Sequence, residues 1–216
     1  DDKVIIRIAR SEMGQGTLTG LAQLVAEELE CDWNKVAWEY PTPGQNVARK
    51  RVWGDYNTTG SRAIRESHQY VREGGAAARL MLIQAAADEW KVPAAELTTD
   101  KGVISHKASG KTTTYGKVAA AAAKLPVPEK PKLKDAKDWK IAGKPLKRLD
   151  TVPKVNGTMQ YAIDFKLPGM LSAAIKDCPV FGGKVKSFDA AQALKVPGVK
   201  KVVQVSTGVA VVADGF

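Results

Sequence analysis

The sequence has little of what metal and redox sites are built from: 216 residues contain two cysteines and two histidines. Cys31 and Cys178 stand far apart, and neither they nor His68 and His106 have a second Cys or His at ligand spacing. Zinc and haem sites draw on such closely spaced sets, so none is suggested. The thiols read as buried side chains in unrelated elements; whether a disulfide joins them is a question of geometry. A long hydrophobic run is also missing, since no stretch approaches the ~18 consecutive apolar residues of a membrane span. The start is not a signal peptide, because Asp1-Asp2 is acidic and no apolar core follows. No internal repeat is evident.

What is present is the composition of a soluble globular chain, 44% hydrophobic and 26% charged. The net charge is +10, from 33 basic and 23 acidic residues. A basic balance points to nucleic acid, an anionic membrane face or an acidic ligand, and the location of the charge decides. Lysine is thickest between Lys124 and Lys147, alternating with proline and acidic residues, which reads as a solvated linker. Without aromatic platforms or a nucleic-acid-binding motif, the charge does not argue for a nucleic-acid partner.

The chain opens without Met and enters a strand alternation at once, with Val4, Ile6 and Ile8 on one face. It closes just after a strand pattern over Val209 to Ala213, so both ends read as cut. Between them the spacing predicts a helix over 17–30, with Leu18, Leu21, Ala22, Val25 and Leu29 inward, then a strand over 33–40. Residues 41–56 read as a long loop. A long helix runs to Trp90 with Gly74-Gly75 in its middle, a pair that implies close approach by another element or a kink. A short turn at 93–96, a hairpin over 97–115 and an alanine-rich helix over 116–125 follow. Pro126, Pro128, Pro131 and Pro145 mark a linker, assigned to 126–142. After it, strands are expected at 159–165, 170–175, 199–205 and 209–213, with a helix over 189–194. The fold class is α+β, divided as 1–125, the linker, and 143–216.

The chemistry-bearing feature is a pair of turns, each holding glycine and a small hydroxyl residue and each feeding a helix. Met13-Gly14-Gln15-Gly16-Thr17 is the first and Thr58-Thr59-Gly60-Ser61 the second. The first amides of a helix lack intrahelical partners, and the dipole makes that end partly positive. Glycine lets an anion approach the backbone, so such ends hold phosphates. Gln15 adds a donor and an acceptor suited to a heterocycle edge. Ser61 serves either as helix cap or as ligand donor. Arg62 and Arg65 either pair with a pyrophosphate or are solvated charges on a helix face. Glycine and Ser/Thr before helices are also ordinary capping chemistry, so a non-catalytic binding or assembly module and a different phosphate- or nucleotide-binding enzyme stand beside the reading that follows.

The run Arg10-Ser11-Glu12-Met13-Gly14-Gln15-Gly16 resembles the E-M-G-Q-G element in large subunits of the xanthine dehydrogenase, aldehyde oxidase and isoquinoline oxidoreductase family. Leu24-Val25-Ala26-Glu27-Glu28-Leu29 and Thr59-Gly60-Ser61 with Arg65 are similar to it too. Relatives often carry further small hydroxyl residues after Ser61, where this chain has Arg62-Ala63. Gly143 to Asp150, Lys154-Val155-Asn156-Gly157 and Asp164 to Ala173 resemble the start of the family's α/β hammerhead domain; Phe181 to Val185 and Val196 to Val199 continue it. Because M-G-Q-G precedes the hammerhead here, the order resembles the isoquinoline 1-oxidoreductase beta subunits.

The resemblance implies a partial molybdopterin-binding α/β domain followed by the hammerhead. It implies cofactor contacts from Met13, Gly14, Gln15, Gly16, Thr59, Gly60, Ser61 and Arg62, with molybdopterin cytosine dinucleotide as the form bound. It also implies iron–sulfur clusters on a separate small subunit, and an N-heterocycle or aldehyde substrate oxidised with water. The family's catalytic glutamate lies beyond Phe216, so no catalytic residue falls in this chain, and the chain alone is expected to be inactive. Glu12, Glu27 and Glu28 read as surface or helix-face carboxylates. Relatives often carry a twin-arginine export signal, which implies a periplasmic location, with the cytoplasm as the alternative.

Overall fold

A computed structural model describes residues 2–215 and divides the chain into two compact units, Asp1–Gly157 and Thr158–Phe216. In the first, β1 (Val4–Arg7) and β2 (Val36–Glu39) pair in parallel, in register from Val4 opposite Val36 to Arg7 opposite Glu39. Parallel neighbours need a crossover, and α1 (Thr17–Leu29) supplies it. The alternation holds: Ile6 and Ile8 are buried, while Ile5 is 55% exposed.

The loop expected over 41–56 contains a helix, α2 (Pro43–Ala48). Its start is a reciprocal cap: the Gln45 amide donates to Thr42 Oγ1, and the Thr42 amide donates to Gln45 Oε1. The long helix, α3 (Arg62–Trp90), packs on α1. Of its glycine pair, Gly75 marks the close approach, since a Cβ there would stand 2.6 Å from the Val25 carbonyl oxygen of α1. Gly74 lines an apolar groove with Trp53, Tyr70 and Val71. The expected hairpin is a three-stranded antiparallel meander, β3 (Leu97–Asp100), β4 (Val103–His106) and β5 (Lys111–Thr114), followed by α4 (Tyr115–Ala122). Ile104, Tyr115 and Val118 close a core with Ala26, Leu29, Cys31 and Ala86.

The lysine–proline tract differs from the expected linker. The division between units falls after Gly157, and residues 126–142 lie within the first unit. Two carboxylates of α1 cause this. Glu27, 2% exposed at its side chain, accepts the amides of Lys140, Ile141 and Ala142 at 2.8, 2.5 and 3.1 Å and the Lys134 ammonium at 2.5 Å. Glu28, fully buried, pairs with Arg72 at 2.7 Å and accepts the Lys134 amide at 3.1 Å. Arg72 in turn lies over the Trp139 ring. Burial alone would raise the Glu27 carboxyl, but the Lys134 ammonium and the three amides outweigh it and hold the group below the usual carboxylate range. These are buried anchors, not the surface or helix-face groups that sequence suggests. A short helix, α5 (Thr151–Val155), ends the unit.

The second unit is an antiparallel sheet in the order β6 (Ser172–Asp177), β8 (Gly208–Ala213), β7 (Val199–Gln204). Residues 159–165 form no strand; a single 3-10 turn, Ala162–Asp164, lies there. The alternation of Met159, Tyr161, Ile163 and Phe165 has no described strand to pair with, and Ile163 is 89% exposed. The helix expected over 189–194 is also absent. Asp189 turns the chain by accepting the Ala191 amide, and a 3-10 turn, Ala193–Lys195, follows directly before Val196-Pro197. Six residues ahead of a proline are too few to repay helix nucleation. The class is α+β. Among the described residues no helix is long and apolar enough to cross a membrane.

Candidate functional site

The two glycine turns, far apart in sequence, lie against each other. The Ser11 amide donates to the Tyr56 carbonyl at 3.3 Å, and Arg10 Nη1 donates to the Asn57 carbonyl at 2.5 Å. Arg10, 12% exposed at its side chain, also donates to Ser67 Oγ at 3.0 Å and lies 3.6 Å from Glu66. It therefore fastens the end of the β1 segment to the first turns of α3. Gln15 Nε2 reaches Thr58 Oγ1 at 3.4 Å and Thr17 Oγ1 at 2.8 Å, while its Oε1 accepts the Met13 amide at 2.6 Å. One side chain thus spans both turns.

The two helix ends are not equivalent. Gly14 and Gly16 sit at φ +103° and +84°, conformations that favour glycine. That curvature folds the Glu12 side chain back over the turn. Glu12 Oε1 accepts the amides of Gly14 and Gly16, each at 2.8 Å, and Oε2 accepts the Leu18 amide at 3.0 Å. The α1 N-terminus is filled by the chain's own carboxylate, with the charge sign the dipole favours. Glu12 is only 6% exposed at its side chain, against its reading as a surface group.

The end of α3 is different. Ser61 occupies the N-cap at φ 57° and makes no side-chain capping bond among the described residues. Thr59, Gly60 and Ser61 are exposed, and a Cβ on Gly60 would meet no described atom within 4 Å. The Thr59 hydroxyl turns to Asn57 Oδ1 at 2.6 Å. Arg62 pairs with Glu66 at 2.7 Å and lies 3.7 Å from Asp55, and Arg65 donates to the Gly60 carbonyl at 3.3 Å. Met13 is 67% exposed beside the first turn. Met13, Gly14, Gln15 and Gly16 are thereby brought together with Thr59, Gly60, Ser61 and Arg62 on adjoining turns.

Sequence reasoning put Thr58 in the second turn and Arg10 and Glu12 in the family motif without naming them as site residues, and gave no role to Arg148 or Asp150; all five build this site. Arg148 donates to the Gly14 carbonyl at 2.9 Å and, through Nε and Nη2, to both oxygens of Asp150 at 2.9 and 2.8 Å. The Arg148 guanidinium, with the Lys154 ammonium at 2.6 Å, holds the Asp150 carboxyl well below the usual carboxylate range. The segment 143–157, which sequence assigned to the second domain, lies in the first unit, with Arg148 on the first turn and the Leu149 amide on Thr19 of α1.

The family model for the molybdopterin cofactor-binding domain matches residues 1–165. The chain belongs to that family. Family relatives include the beta chain of the isoquinoline 1-oxidoreductase of Brevundimonas diminuta, 34% identical over 93% of this chain and 30% of that protein. The membrane-bound aldehyde dehydrogenase (pyrroloquinoline-quinone) of Gluconacetobacter polyoxogenes is 33% identical over 92% of the chain and 26% of its own length. A nicotinate dehydrogenase subunit of Pseudomonas putida is 27% identical over 94% of the chain and 17% of its own length. The chain thus spans less than a third of each of these family members.

Proposed function

We propose that this chain forms part of the molybdopterin site in the large subunit of a molybdenum hydroxylase that oxidises an N-heterocycle or an aldehyde with water as the oxygen source. The observation that carries the reading is the meeting of the two glycine turns beside an uncapped helix end, with Gln15 spanning both. A pterin dinucleotide offers a heterocycle edge and a pyrophosphate. Gln15, exposed but already bonded to Thr17, Thr58 and the Met13 amide, keeps a spare acceptor lone pair on Oε1 for the first, and the Gly60–Ser61 backbone with Arg62 suits the second. The fit at the α1 end is narrower: Glu12 already takes the Gly14, Gly16 and Leu18 amides, so Met13, Gly14 and Gly16 offer the cofactor shape and close backbone approach more than positive charge.

When bound, the cofactor supplies the oxidising centre. Residues of this chain bind and orient it, and the proton-abstracting group comes from elsewhere in the subunit. The expected form is the cytosine dinucleotide. The second unit is read as the start of a hammerhead domain. An iron–sulfur cluster needs clustered thiolates, which Cys31 and Cys178, far apart in sequence, do not provide; the family resemblance makes a separate small iron–sulfur subunit the expected electron acceptor. The periplasm is the expected location, with the cytoplasm as its alternative. The chain by itself, holding part of the pocket, is expected to be inactive.

The test is to purify the full-length subunit with its partner and measure molybdenum, and the nucleotide released by acid hydrolysis. Near-stoichiometric molybdenum and CMP are expected, with molybdenum falling at least tenfold in Gly60→Val, whose φ of +65° no branched residue adopts readily. A wild-type subunit free of molybdenum and pterin would overturn the reading in favour of a non-catalytic module or another phosphate-binding protein.

A further inference from the structure

We propose that Arg148 is a positioning residue for the Met13–Gly16 turn, fixing the direction in which Gln15 is presented. The inference rests on the reading of that turn as a cofactor contact, and deepens it. The turn is exposed and rich in glycine, so its own backbone supplies little rigidity. Both faces of its Gly14 residue are nevertheless held. The Gly14 amide donates to Glu12 at 2.8 Å, and the Gly14 carbonyl accepts Arg148 Nη1 at 2.9 Å. Arg148 Nη2 also lies 3.4 Å from Glu12 Oε1, so the two holding groups brace each other.

The guanidinium cannot swing freely. It is forked onto Asp150, whose side chain is 1% exposed and also takes Lys154 at 2.6 Å. The next amide, Leu149, donates to Thr19 Oγ1 at 3.0 Å and seats the segment on the first turn of α1. A Cβ on Gly16 would lie 3.5 Å from Arg148 Nη1, so the planar group stands over the side of the glycine where a side chain would be. With the peptides on both sides of Gln15 anchored, its side chain can make its short bonds to the Met13 amide and Thr17. An ammonium cannot reproduce this pattern. Lysine carries its three donors on a single nitrogen, so it cannot form the planar two-nitrogen fork onto Asp150 while a third nitrogen-borne donor reaches the Gly14 carbonyl.

The role differs from a salt bridge that merely adds stability, and the experiment separates the two. Full-length subunit is prepared as wild type, Arg148→Lys and Arg148→Ala, each with and without cofactor. In the cofactor-free forms, amide hydrogen exchange over residues 12–18 is expected to quicken at least tenfold in both variants, with the β3–β5 meander unchanged. The rate of cofactor loss from the loaded forms is expected to rise by a similar factor, while the melting temperature of Arg148→Lys stays close to wild type. Wild-type protection and retention in Arg148→Lys would overturn the proposal, since charge alone would then suffice. Unchanged exchange at 12–18 in both variants would overturn it as well. A wild-type subunit that carries no molybdopterin defeats the cofactor reading instead, and the exchange data still decide whether Arg148 orders the turn.

Discussion

At the first turn the amides of Gly14 and Gly16, with that of Leu18 in the first turn of α1, converge on the Glu12 carboxylate, which is itself braced by Arg148. At the second, the helix starts from Ser61 in a left-handed conformation. Asp55 accepts the Asn57 amide ahead of the turn and lies near Arg62, and Glu66 pairs with Arg62, so among the described residues neither carboxylate takes an amide of the α3 end. Both turns carry glycine and a hydroxyl residue ahead of a helix, and by composition either is an anion site. What separates them is a residue outside the glycine pattern. A carboxylate two positions before Gly14 can bend back onto the amides, whereas Asn57, three positions before Gly60, uses its Oδ1 on Thr59. A helix end is open or closed according to which side chain reaches it first.

That contrast is breakable by substitution. The largest effect is expected for Glu12→Ala, which removes the acceptor of three amides and the partner of Arg148. It should lower the unfolding free energy by about 3 kcal/mol in urea titrations. Ser61→Ala, which loses no capping bond, should change it by less than about 0.5 kcal/mol. Equal losses would mean that the two ends are alike after all. A smaller pair of opposite sign sharpens the second turn. Gly60→Ala at φ +65° should cost about 1 kcal/mol, and Ser61→Gly at φ 57° should gain up to about 1 kcal/mol, since a left-handed residue is strained unless it is glycine. Melting temperatures should move by about 2–4 °C in each direction.

The smallest effect is confined to acid. Asp150 titrates below its unfolded value of about 3.9. Its contribution is therefore complete above that value and is lost as pH falls towards the folded one. Wild-type protein should lose stability steadily below about pH 4 relative to Asp150→Asn. Parallel pH curves for the two, followed by thermal melts, would remove Asp150 from the brace around the first turn.

The long helices were readable because their buried faces are spelled out at three- and four-residue steps, as in Leu18, Leu21 and Ala22, all buried. The strands β6, β7 and β8 were readable from alternation. The stretch 159–165 alternates equally well, but an alternating segment becomes a strand only when a neighbour takes its hydrogen bonds, and sequence does not name the neighbour. The helix α2 was hidden inside a polar stretch because its start depends on one reciprocal bond between Thr42 and Gln45. The glycine turns were found by residue type. The role of Glu12 was not, because it depends on how far the backbone curls at Gly14 and Gly16, and Arg148 acts on them from more than 130 residues downstream.

The lysine–proline tract carries a consequence for how the chain meets proteases. Its composition advertises an easy cut, yet Lys134 has its ammonium against Glu27 and is 13% exposed at its side chain, while the amides following Trp139 are clasped by the same carboxylate. Trypsin cleaves a substrate segment that is extended and free, and here that requires first prising the tract from α1. Limited digestion should therefore spare Lys134 and Lys140 for as long as Glu27 keeps its grip, turning the survival of those two bonds into a gauge of whether the first unit is folded.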